Sequence, residues 1–126
     1  MQIIHFNAAW IGIFLGFVAG AGLGLFFHRD GWLGGYSSWP RRMARLGHIS
    51  FFGIAFINLA YGVSLAVSDE MIASPLASAL FLCGAITMPL VCFLSAYKKA
   101  FRHLFFIPVL SLIGGTLIII KGGLMT

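Results

Sequence analysis

The stretch IIHFNAAWIGIFLGFVAGAGLGLFF, residues 3–27, decides the fold. It contains no Asp, Glu, Lys or Arg. About 20 apolar residues suffice to cross the ~30 Å hydrocarbon core of a bilayer, because a helix rises about 1.5 Å per residue. Inside that core each backbone polar group has to be satisfied within the segment, so the stretch is expected to be helical. It ends at His28-Arg29-Asp30, where the chain returns to water.

Three further apolar segments follow. A loop of Gly and aromatics, GWLGGYSSWP (residues 31–40), leads to the second span, residues 43–67. Trp32, Tyr36 and Trp39 suit the membrane–water boundary, where an amphipathic ring sits half wet. Pro40 is expected to open the second helical element, since the N–H it lacks has no partner there in any case. Ser74-Pro75 reads as an N-cap followed by a first helical residue, so the third span is residues 75–97, with Pro89 expected to kink it. The fourth span is residues 103–120. The expected architecture is therefore one all-α domain, residues 1–126, folded as a four-transmembrane-helix bundle.

Composition agrees. The chain is 60% hydrophobic and 9% charged, against about 25% charged in a soluble domain. Four spans consume most of 126 residues and leave no room for a soluble catalytic or nucleotide-binding fold. The formal charge of +5 comes from residues at span ends. Arg41, Arg42 and Arg45 precede span two, and Lys98, Lys99 and Arg102 follow span three. These six are expected at lipid headgroups rather than on nucleic acid. The loop between spans two and three carries Asp69 and Glu70 instead. The positive-inside rule then puts both basic loops in the cytoplasm and both termini on the outer or periplasmic side. A bacterial inner membrane is the expected location. The N-terminus lacks the positive region of a cleaved signal peptide. Cys83 and Cys92, nine positions apart in span three, are separated by about 13 Å of rise and are expected to remain thiols.

Gly12, Gly16, Gly20 and Gly24 recur every four residues, and His28 continues the row. Residues at i and i+4 share a helix face. In lipid, helices associate by close van der Waals contact, which a glycine row allows. The row is expected to pack on span two, on span four or on another chain. Span two has a matching face of small residues, Ala44, His48, Ala55, Asn58, Gly62 and Ala66. Asn58, near mid-membrane, is expected to find a hydrogen-bond partner across a helix interface.

The histidines carry the one hint of cofactor chemistry. His28, His48 and His103 fall on the cytoplasmic side under this topology, and imidazole ligates haem iron, copper and zinc. His48 reads as the deepest of them, on the small face of its helix. The arginines beside it would suit haem propionates. His5 lies toward the outer surface. No span carries an HxxxH pair, no CxxCH attachment site is present, and no acid lies within a span. Interfacial packing is the plainer reading of these imidazoles.

The resulting expectation is a non-catalytic accessory subunit of a larger membrane complex, in contact with lipids and other subunits. A respiratory or photosynthetic electron-transfer complex is the expected host, because small apolar subunits occur there. The alternative is a small membrane cytochrome or metal-binding protein, with haem b or copper held by His48 and either His28 or His103.

Overall fold

A computed structural model describes residues 1–124, with side chains through Gly122. Four helices are long and apolar enough to cross a membrane, and the fold is a four-helix membrane bundle. Helix α1 is Gln2–Phe26, α2 is Trp39–Val67, α3 is Pro75–Tyr97 and α4 is Phe106–Ile119. A 3-10 segment, Lys99–Phe105, leads into α4, so the fourth crossing runs Lys99–Gly122. These helices identify an integral membrane protein whose outer faces meet lipid.

Local chemistry explains the boundaries. Ser74 caps α3 as its side chain accepts from the Ala77 N–H, with Pro75 as the first helical residue. Ser38 does the same for α2, accepting from the Arg41 N–H. Helix α2 therefore begins four residues before the expected Met43, with Trp39 and Pro40 inside its first turn. The fourth crossing begins at Lys99 rather than His103 because the 3-10 turns carry the chain from the membrane surface into α4.

The loop before α2 reverses through three residues with positive φ: Leu33 at 54°, Gly34 at 88° and Gly35 at 102°. Glycine takes this region without steric cost, whereas Leu33 is held there against it. The Ser38 hydroxyl donates to the Leu33 carbonyl at 2.7 Å and anchors the turn.

The helices pack in chain order, α1 on α2, α2 on α3 and α3 on α4. Glycine notches receive large side chains at each of these interfaces. Phe93 of α3 sits over Gly47 of α2, Leu112 of α4 over Gly84 of α3, and Phe81 of α3 over Gly115 of α4. Tyr61, Ala77 and Phe81 form the buried apolar cluster where α2, α3 and α4 meet. Cys83 and Cys92 are free thiols.

Candidate functional site

The glycine row of α1 faces α2 in an antiparallel register. A Cβ at Gly12 would stand 3.0 Å from the Ala55 Cβ and 3.3 Å from the Phe51 carbonyl oxygen. At Gly16 it would meet the Phe52 ring at 2.7 Å, and at Gly20 the His48 ring at 2.6 Å. Gly62 of α2 returns the arrangement by receiving Phe6 of α1. The row is thus an intramolecular contact. It stops short of the expected length, for Gly24 has nothing within 4 Å. Toward Phe26 the two backbones are no longer in close contact along this face.

One end of this pair is tied by a polar node buried among three helices. His5 is fully buried, with 0% exposure, as is Asn58. Asn58 Nδ2 donates to the Ile54 carbonyl at 3.0 Å, which turns its Oδ1 toward His5. His5 Nδ1 therefore carries the proton and donates to Asn58 Oδ1 at 2.7 Å. The other ring nitrogen, Nε2, accepts from the Ser78 hydroxyl of α3 at 2.6 Å. Tyr61 stands edge-on to the imidazole, with ring centroids 4.7 Å apart. Its hydroxyl donates to the Ser74 carbonyl and accepts from the Ser74 N–H, which fixes the start of α3 against α2. The imidazole of His5 and the amide of Asn58 thus find their partners within the protein, as hydrocarbon surroundings demand.

The other end is tied by Arg41. Expected at lipid headgroups, it is instead turned inward and only 3% exposed. Its guanidinium donates to the carbonyls of Phe27 at 2.7 Å, Arg29 at 3.3 Å and Asp30 at 3.4 Å. The last carbonyls of a helix have no partner within it, and a cation there also complements the helix dipole. The Phe27 ring lies 4.7 Å from the guanidinium carbon, with Trp32 and Tyr36 near 6 Å. Arg42, Lys98, Lys99 and Arg102 remain exposed and Arg45 half-buried. Arg45 lies over Tyr36 and Lys99 over Trp39, in the aromatic belt. Trp39 also donates to the Ser95 carbonyl of α3 at 2.9 Å.

The histidine expected to lie deepest, His48, is half-buried; His5 is the enclosed one. His48 packs edge-on to Phe52 in the notch over Gly20, and its Nδ1 is buried with no hydrogen-bond partner. His28 and His103 are both exposed. Among the described residues no three His, Cys, Asp or Glu side chains are placed to share one metal ion. Sequence reading missed Ser78 altogether, and it read His5 only as a surface residue. The available signal was Asn58: an amide in mid-span needs a partner, and a histidine one turn into a neighbouring helix is a ready one.

The hydroxyls of Ser50, Ser64, Thr87, Ser111 and Thr116 donate to carbonyls of their own helices. These five hydroxyls are thereby taken up by the fold, whereas the buried Ser95 hydroxyl has no hydrogen-bond partner. These features define a four-helix integral membrane protein joined by glycine notches and one buried polar node. No family model matches the chain, and no curated protein or solved structure matches it either.

Proposed function

We propose that this protein is a non-catalytic accessory subunit of a larger membrane complex, with a respiratory or photosynthetic electron-transfer complex as host. The observation that carries this reading is the outer face of α1. His5, Ala9 and Gly16 face the bundle. On the opposite side Asn7 is exposed, and Trp10 at 67% and Phe14 at 64% exposure follow it on the same face. Hydrocarbon offers an amide no partner, whereas a neighbouring transmembrane helix does. Large aromatic rings around that amide supply contact area of the kind protein interfaces favour. The use of His5, Asn58 and most of the bundle's hydroxyls in the fold itself supports a role in assembly over one in chemistry.

Purification of the full chain in mild detergent tests this. Other membrane subunits co-purify in fixed ratio, and Asn7→Leu releases them while leaving the chain folded. A lone chain, with or without that change, would refute the reading. Orientation in a bacterial inner membrane belongs to the same proposal. A reporter active only in the cytoplasm, fused after Lys99, is expected to be active, and one fused at the C-terminus silent.

One atom favours the second reading. The Nδ1 of His48 is buried without a hydrogen-bond partner and so keeps its lone pair or proton unused. A cytochrome or copper protein built on His48 would show a Soret band or stoichiometric metal in a preparation free of partners, lost in His48→Ala. A colourless, metal-free chain supports the subunit reading.

A further inference from the structure

Between α1 and α3 lies an apolar groove of about 480 Å³, floored by α2. Ala8, Gly12 and Leu15 of α1 form one wall, Ala55 the floor, and Leu82 to Phe93 of α3 the other wall. None of its lining side chains is charged, and small residues on all three helices leave it open. It begins one helical turn from the node, since Ala8, Leu82 and Ile54 follow or precede His5, Ser78 and Asn58 by three or four positions.

Its elongated apolar lining and the cations beyond its far end point to the occupant. Leu82 to Phe93 rises roughly 16 Å along α3, so the groove is elongated along the helix axes. A single polymethylene chain, whose carbons keep about 3.5–4.0 Å from their neighbours, lies along such a groove with apolar contacts on three sides. The groove lies at mid-depth, where a void without contacts on one side would forfeit dispersion energy. Its far end, at Phe93, stands five residues before Lys98, roughly 7 Å from the exposed cations of the membrane surface. Lys98 and Lys99 there carry positive charge at headgroup level.

We propose that the groove is a lipid site holding one acyl chain of an anionic phospholipid, with the phosphate near Lys98 and Lys99 and the chain terminus toward the His5 node. The site does not depend on the subunit reading, because its ligand is lipid and its readout is a lipid mass.

The test is native mass spectrometry of the full chain, released from mild detergent after incubation with dioleoyl phosphatidylglycerol or dioleoyl phosphatidylcholine. The unmodified chain is expected to retain one phosphatidylglycerol and less phosphatidylcholine. Ala85→Phe and, separately, Ala8→Phe fill the groove and are expected to reduce retention by about tenfold or more. Ala79→Phe, at an exposed position of α3, is expected to leave it unchanged, and the helical content of each variant is checked by circular dichroism. Lys98→Gln with Lys99→Gln is expected to abolish the preference between the two lipids. Absence of an adduct on the unmodified chain overturns the site. So does equal retention by the groove-filling and control variants. Equal retention of both lipids by the unmodified chain overturns the anionic headgroup. Loss of a bound protein, rather than of lipid, in Ala85→Phe would reassign the groove to side chains of a partner.

Discussion

The two ends of the α1–α2 pair are fastened by opposite means. At the His5 end, three neutral side chains from three helices satisfy one another in a space from which water is excluded. At the Arg41 end, one cation binds the Phe27 carbonyl at the C-cap of α1 and the Arg29 and Asp30 carbonyls of the loop after it, roofed by aromatic rings. The first device is side chain to side chain and specifies how three helices rotate. The second is side chain to backbone and specifies where one helix stops. Neutral groups suit the hydrocarbon, where an unpaired charge is expensive. A guanidinium suits the boundary, where its long stem lies among rings and its head finds carbonyls. The contrast therefore follows from the partners at each end, side chains of three helices at His5 and main-chain carbonyls at the end of α1 at Arg41.

Removing Arg41 is expected to have the largest effect. Arg41→Ala deletes one short charge-assisted hydrogen bond, two longer ones and a cation–π contact, for about 2–4 kcal/mol. Rehydration of the freed carbonyls at the surface keeps the cost from being higher. Arg41→Lys retains the charge but lacks the forked donors that reach Phe27 and Arg29 together, so it is expected to recover less than half the loss. Equilibrium unfolding in mixed detergent micelles, followed by helicity, measures both. Full recovery by lysine would show that charge alone matters and would erase the distinction drawn between the two ends.

The His5 node comes next. His5→Leu orphans the Asn58 oxygen and the Ser78 hydroxyl. Interhelical hydrogen bonds in membranes average about 0.6 kcal/mol and reach about 1.7, so two of them amount to about 1–3 kcal/mol. Changing all three residues together, His5→Leu with Asn58→Leu and Ser78→Ala, is expected to cost less than His5→Leu alone, because no buried polar group is left unpaired. A triple variant weaker than the single one, in the same unfolding measurement, would mean that the node's shape matters more than its hydrogen bonds.

The spans were legible in the sequence because hydropathy and charge act over twenty residues at a time, and the third span's limits were marked by Ser74-Pro75 and Lys98. The same cap logic applies at Ser38, but the arginines that follow it pull a hydropathy reading inward to Met43. The node was half legible. Asn58 announces a need for a partner, yet His5 lies 53 positions from it and Ser78 lies 73 from His5, and only the relative rotation of three helices brings them together. The inward turn of Arg41 was hidden for a similar reason. It sits among three arginines of one short stretch, and composition cannot tell which one turns inward. That is set by the helix register: Arg41 faces the end of α1, whereas Arg42, one residue and about 100° further round, faces outward.

The smallest expected effect lies between the two fastenings, at Gly24. The spacing of Gly12, Gly16, Gly20 and Gly24 treats the four alike, whereas the packing does not. A side chain at Gly16 would strike the Phe52 ring, and overpacking of that kind costs about 1–3 kcal/mol. At Gly24 there is open space, so Gly24→Leu is expected to change stability by less than about 0.5 kcal/mol. Glycine is also the poorer helix former, which offsets part of any loss. Such tolerance would mean that helix packing ends by Gly20 and that Arg41 alone holds the last turn of α1. The combination Gly24→Leu with Arg41→Ala would then cost no more than Arg41→Ala by itself. If Gly24→Leu proved as costly as Gly16→Leu in the isolated chain, α1 would have to remain against α2 along the whole row. If it were harmless in the isolated chain but released co-purifying subunits, the open end of the row would be part of the docking face that α1 presents through Asn7.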